Sequence, residues 1–230
     1  DGLDDLFLRH DPGTGVEAAP AQTIISLGGT GEQFTFTHAG YIPKANLGNN
    51  FIIGDVNGDG FEDILLDFRL DGASSTYKTT LIFGREVWED IDLSVNDSSS
   101  HIDITFPSDF PATAGGYDPN VTAYGEDLNA DGIQDFAIHE YVIFGRKEWP
   151  PVFDIDTLDG SNGFVATDGV TADLRVGFVG DVNADGIEDF ITGTTYGSGN
   201  IVRLFWGRES YEATFDAAHT SSDFGSKGVQ

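Results

Sequence analysis

The 230-residue chain contains no cysteine, which excludes disulfide bridges and thiolate metal sites together. No run of about 18 apolar residues occurs, so no segment has the length of a membrane-crossing helix. Basic side chains are scarce: 11 Lys and Arg stand against 39 Asp and Glu, a formal charge of −28 at pH 7. A surface of that sign repels phosphate backbones and anionic lipid, so neither nucleic acid nor membrane insertion is expected. Apolar spacing of 3.6 residues is also missing, which argues against amphipathic helices.

What is present points to a folded all-β protein. Hydrophobic residues make up 39% and aromatics 12% of the chain, too much for a disordered segment despite the charge. Thirty glycines interrupt short runs of Thr, Val, Ile and Phe, the pattern of strands and tight turns. An acidic excess has three common origins: divalent-cation binding, adaptation to salt, or solubility. Its distribution favours the first, because much of the aspartate sits in one repeated motif.

That motif is Asp-x-Asn-x-Asp-Gly-x-x-Asp, found as DVNGDGFED (55–63), DLNADGIQD (127–135) and DVNADGIED (181–189). A second signature follows each copy: TLIFGRE (80–86), YVIFGRK (141–147) and RLFWGRE (203–209). The opening DGLDD (1–5) repeats the second half of the motif and has its own follower, TIISLGG (23–29). The signature glycines Gly28, Gly84, Gly145 and Gly207 lie 56, 61 and 62 residues apart. The chain therefore divides into four repeats, approximately 1–48, 49–120, 121–173 and 174–230. Each reads as four strands. An apolar stretch such as FIIG or RVGFVG precedes the loop, and DILLDF, DFAIHE or DFITGT follows it. The signature strand is third, with SHIDITF (100–106), PVFDID (151–156) and EATFDA (212–217) read as the fourth. Four short strands per repeat is the pattern of a propeller blade. Ile82, Phe83, Ile143, Phe144, Leu204 and Phe205 are expected in the blade interiors, Trp206 in the core, and Trp88 and Trp149 between blades.

Calcium takes six to eight hard oxygen ligands. Asp, Asn and Asp at positions 1, 3 and 5 of a tight loop aim oxygen inward, and glycine at position 6 permits the reversal. Position 7 offers a backbone carbonyl, and Asp at position 9 closes the shell. The expected ligands are Asp55, Asn57, Asp59 and Asp63 with the Phe61 carbonyl; Asp127, Asn129, Asp131 and Asp135 with that of Ile133; and Asp181, Asn183, Asp185 and Asp189 with that of Ile187. Magnesium keeps its water and suits such a cage less well. The competing reading is three ordinary hairpin turns, but all three copies keep register with the same downstream strand. An EF-hand needs Glu at position 12 between two helices, where this chain has Leu66, Ile138 and Thr192 on expected strands.

With both motifs in view, the chain resembles the FG-GAP repeat family, which includes the β-propellers of integrin α-subunits and many bacterial surface proteins. The resemblance rests on the three loops and on the Phe-Gly or Trp-Gly pairs at 83–84, 144–145 and 206–207, and spans essentially all 230 residues. It implies calcium in the hairpin between the first two strands of a blade, on the outer rim, where it stiffens a long turn without catalysing anything. The Gly-Ala-Pro half of the family motif is replaced by Arg or Gly, a departure that bears on blade-to-blade contacts.

The opening DGLDD and the closing stretch TFDAAHTSSDFGSKGVQ (214–230) read as the two ends of an interrupted repeat. Three explanations stay open: part of a propeller of six to eight blades, a small closed ring, or a strand donated by a neighbouring molecule. Asp1 and Asp5 supply too few ligands for a strong fourth site.

The expected function is a non-catalytic, calcium-stabilised adhesion or binding module for a protein or glycan, extracellular or at the cell surface, with a periplasmic place also open. The alternative is a structural subunit of an extracellular assembly or filament, built with further copies or other subunits. A polysaccharide-active enzyme domain is the third reading. The five histidines share no spacing, and no Gly-x-Ser-x-Gly, His-Glu-x-x-His or phosphate-loop motif occurs. Asn96 and Asn120 lie in glycosylation-type sequons but carry no argument of their own.

Overall fold

A computed structural model describes residues 6–11, 21–27, 33–38, 51–69, 77–95, 97–106, 121–169, 174–194 and 202–218. DGLDD, the 28–29 glycines, Asn96, Asn120 and the stretch 219–230 lie outside them. Among the described residues, seventeen strands form four sheets. Sheet one orders β1 (Leu6–Asp11), β2 (Ala21–Leu27), β3 (Gln33–His38) and β7 (Ile91–Asp92). Sheet two starts from β4 (Phe51–Gly54), then β5 (Asp63–Arg69), β6 (Tyr77–Ile82), β8 (His101–Thr105) and β12 (Val152–Asp154). Sheet three repeats this with β9 (Val121–Glu126), β10 (Asp135–Ile138), β11 (Tyr141–Ile143), β13 (Gly163–Thr167) and β17 (Thr214–Asp216). Sheet four contains β14 (Leu174–Gly180), β15 (Asp189–Thr194) and β16 (Val202–Phe205). Among the described residues the single helical turn is a 3-10 turn at Ile155–Thr157, and no helix is long and apolar enough to cross a membrane.

Within each sheet consecutive strands run antiparallel, but the last strand of sheets one, two and three is parallel to its neighbour and comes from the repeat that follows. This corrects the strand reading above. SHIDITF does supply the fourth strand of its own sheet, as β8. PVFDID and EATFDA instead cross back, as β12 and β17, to extend the sheet of the preceding repeat. Pattern alone marks them as strands; their partner is decided by where the chain passes after the signature glycine.

The sheets stack in chain order, and the alternation of side chains along each strand builds the cores between them. Ile64, Leu66 and Ile82 of sheet two meet Phe34 and Phe36 of sheet one. Their neighbours Leu65 and Leu81 turn the other way, to Phe136, Ile138 and Ile143 of sheet three. Ala137, Val142 and Phe164 then face Leu174, Val176, Phe190 and Phe205 of sheet four. A strand with cores on both sides reads as a continuous apolar run, which is why DILLDF and DFAIHE lack polar alternation.

Ile82, Phe83, Ile143, Phe144 and Phe205 are buried as expected, but Leu204 and Trp206 are only half-buried. The cause is the same alternation. Phe205 points back to sheet three, whereas Leu204 and Trp206 occupy the register of Leu81 and Phe83, on the side facing away from it. Trp149 is buried between sheets two and three, and Trp88 packs against Phe34 and Phe36 of sheet one.

Candidate metal centre

Each Asp-x-Asn loop joins the first and second strands of its sheet, and each follows a shift of register on the first strand: between Ile52 and Gly54, between Tyr124 and Glu126, and between Phe178 and Gly180. Such bulges turn the chain out of the pleat and re-aim the residues that follow.

Inside the first loop the position-1 carboxylate organises the turn. Asp55 Oδ1 accepts the N–H groups of Gly58 and Asp59 at 2.7 and 3.0 Å, and Oδ2 that of Gly60 at 2.8 Å. Asn57 Oδ1 accepts the Asp59 N–H at 2.9 Å, and Asp59 Oδ1 the Phe61 N–H at 2.9 Å. The other loops repeat the plan. Asp127 Oδ2 holds the Gly132 N–H at 2.8 Å and Asp181 Oδ2 the Gly186 N–H at 2.8 Å. Asp131 and Asp185 accept the N–H of Ile133 and Ile187 at 2.9 and 3.0 Å. Position 6 has φ of 94°, 87° and 92° at Gly60, Gly132 and Gly186, the left-handed region that glycine adopts freely. Position 4 is left-handed too, at Gly58 but also at Ala130 and Ala184, with φ of 72°, 59° and 60°.

The position-9 aspartate is different in kind, because it is fully buried in all three loops. Asp63 accepts the Val56 N–H at 2.9 Å and the Gly84 N–H at 2.7 Å. Asp135 does the same with Leu128 and Gly145, both at 2.9 Å, and Asp189 with Val182 and Gly207, both at 2.9 Å. A side chain on any of these glycines would collide with the carbonyl of the residue before the aspartate: Glu62, Gln134 or Glu188. That bond explains why the two motifs travel together. Burial pushes the Asp63 carboxyl up to about 7, the N–H bonds from Gly84 and Val56 pull it back, and Asp59 and Asp55 add repulsion. Burial likewise holds Asp135 well above the usual carboxylate range, against its bonds to Gly145 and Leu128, with Asp127 and Asp131 adding to the rise.

The donor set suits a hard cation: three carboxylates, one amide oxygen and one main-chain carbonyl per loop. A carboxylate has about four lone-pair sites, so the two or three N–H bonds on Asp55 and on the position-9 aspartates leave capacity for a further ligand role. The structure brings positions 1, 3, 5 and 9 of each motif into one loop, with positions 1 and 5 folded onto loop N–H groups. Among the described residues, no three His, Cys, Asp or Glu side chains stand together as a metal-holding group.

Sequence reasoning placed Trp88 and Trp149 between sheets but missed the arginines, Tyr211 and the bonds that tie one sheet's loop to the next. The arginines after Gly84 and Gly145 are held by main-chain carbonyls: Arg146 Nη2 donates to Phe144 at 2.9 Å and to Asn162 at 2.7 Å. Arg85 Nη2 donates to Phe83 and Ser100 at 3.2 and 3.1 Å. Arg146 lies 4.6 Å from the ring centres of both Trp149 and Phe153, and Arg208 lies 5.0 Å from those of Tyr211 and Phe215. The aromatic three residues on then reaches the preceding loop. Trp149 Nε1 donates to the Val56 carbonyl at 3.3 Å, and the Tyr211 hydroxyl to that of Leu128 at 3.3 Å. Arg-x-x-aromatic recurs at 85–88, 146–149 and 208–211, so the signal was in the sequence.

No family model, curated protein or solved structure matches this chain.

Proposed function

We propose that the four stacked sheets are consecutive blades of an FG-GAP-type β-propeller, with Ca2+ held in the loops 55–63, 127–135 and 181–189. The observation that carries this reading is the threefold bond from a buried position-9 aspartate to the signature glycine, in loops whose remaining donors are all hard oxygen. Asp55, Asn57, Asp59, Asp63 and the Phe61 carbonyl, with their counterparts in the other two loops, would hold the ion. Calcium supplies positive charge to a cluster of like charges and so stiffens the turn. No catalytic step is assigned.

A rigid stack of this kind suits a binding or adhesion module that presents its loops to a protein or glycan outside the cell, where calcium is abundant. Partnership with a further blade or subunit has its own support. Val56 and Leu128, at position 2 of the first two loops, are fully buried under the next sheet, whereas Val182 at the same position is 56% exposed. Val202 is 66% exposed on sheet four, while Thr79 at the matching register of sheet two is buried. This side of sheet four fits one more blade-like sheet carrying an Arg-x-x-aromatic segment.

Thermal melting tests the calcium reading. The melting temperature is expected to rise with added Ca2+ and to fall again with chelator, by mass action. A melt indifferent to both sinks it. A glycan array and a protein pull-down with the calcium-loaded chain then separate adhesin from scaffold.

A further inference from the structure

Gln134 joins two of the candidate calcium loops. It sits at position 8 of the second loop, between Ile133 and Asp135. Its Oε1 accepts the N–H of Asp55, the first ligand of the first loop, at 2.7 Å. Its Nε2 donates to the Gly125 carbonyl at 3.0 Å, and its own N–H to the Asp55 carbonyl at 3.3 Å. Gly54, next to Asp55, has no side chain where one would collide with this amide, so the notch is shaped to admit it. The adjoining Val56 carbonyl is held from the same sheet, by the Arg146 N–H at 2.9 Å and by Trp149 Nε1 at 3.3 Å.

The next junction is built otherwise. Glu188 takes the place of Gln134 and sets its carboxyl near that of Glu126, which stands in the place of Gly54; burial first, and then Glu188, pushes the Glu126 carboxyl up. The Leu128 carbonyl is held there by the Arg208 N–H at 3.3 Å, longer than the 2.9 Å bond of Arg146, and by the Tyr211 hydroxyl at 3.3 Å, the same length as the Trp149 bond.

We propose that Gln134 makes loops 55–63 and 127–135 bind calcium as a coupled pair, with loop 181–189 filling independently. The inference rests on the calcium reading above. When the second loop closes on an ion, Ile133 and Asp135 are fixed on both sides of Gln134. Its amide is then fixed against Asp55, which lowers the ordering cost of the first loop. Coupling of this kind is reciprocal.

The amides of Gly60, Gly132 and Gly186 donate to the position-1 carboxylate of their own loops and report each site separately. Calcium titration of the metal-free chain, followed by amide NMR, is expected to give coincident midpoints at Gly60 and Gly132 and a distinct one at Gly186. Asp131→Ala disables the second loop and is expected to raise the Gly60 midpoint about three- to tenfold, leaving Gly186 unchanged. In a Gln134→Ala background, Asp131→Ala is expected to have no further effect at Gly60. A Gly60 midpoint that ignores Asp131→Ala overturns the coupling and leaves the calcium reading intact. A shift at Gly186 as large as that at Gly60 also overturns it, as general destabilisation. If no glycine amide responds to calcium, both readings fall.

Discussion

Asp63 Oδ1 accepts the N–H of Gly84 at 2.7 Å, so the last residue of the first loop is bonded to the signature glycine 21 residues later. The same bond joins Asp135 to Gly145 and Asp189 to Gly207. The loop and the third strand thus form one hydrogen-bonded unit across the second strand. In each unit a buried carboxylate satisfies two main-chain donors that would otherwise be stranded.

Removing that carboxylate should cost more than removing an exposed loop ligand. Asp135→Ala leaves the N–H groups of Leu128 and Gly145 unpaired in the interior, an expected loss of about 2–4 kcal/mol. Asp131→Ala, at an exposed position, should cost less than about 1 kcal/mol in metal-free protein. Urea midpoints of the two variants check the difference, and equal losses would contradict it.

The pH dependence of the metal-free chain follows from the same burial. Asp63 is raised to about 7 from an ordinary 3.8, so between those values the folded chain keeps a proton that the unfolded chain gives up. The unfolded state then binds fewer protons, and stability falls as pH rises through that window. Asp135 acts in the same direction. Metal-stripped protein is expected to have a higher urea midpoint at pH 5 than at pH 7, with a shallower fall in Asp63→Asn. Calcium, which requires the ionised form, should stabilise more as pH rises. A midpoint that climbs from pH 5 to 7 without metal contradicts this.

Ala130 and Ala184 occupy left-handed backbone at φ near 60°, where the first loop has Gly58. Glycine adopts this region without steric cost but loses more chain entropy on folding. Ala130→Gly and Ala184→Gly are therefore expected to stabilise the protein by about 0.5–1 kcal/mol each. Destabilisation in urea melts would show that the loops hold these alanines without strain.

Leu128 and Val182 hold the same position in successive loops, one fully buried and the other 56% exposed. Leu128→Ala is expected to cost about 2–5 kcal/mol, and Val182→Ala less than about 0.5 kcal/mol. Equal costs in this chain would contradict the stacking order of the sheets.

The loops and signature strands were legible in the sequence because each is local and recurs at a near-constant interval. Strand destination was not. VFD and TFD read as strands, yet they join the preceding sheet, which depends on the path of the chain and not on residue type. Burial at the signature was legible where sheets lie on both sides, as at Ile82 and Phe83. It failed at Leu204 and Trp206, whose strand has the same pattern but a different neighbourhood. Gln134 was invisible because its partner is the main chain of Asp55, a whole repeat away.

Calorimetric titration of Ca2+ into metal-stripped protein tests the central claim most directly. The account expects saturable binding of about three ions per chain, one for each Asp-x-Asn loop. Asp59→Ala or Asp185→Ala should each remove a single site and leave the other two filled. A titration with no saturable binding at millimolar calcium, or the same stoichiometry in both variants as in the parent chain, would contradict it.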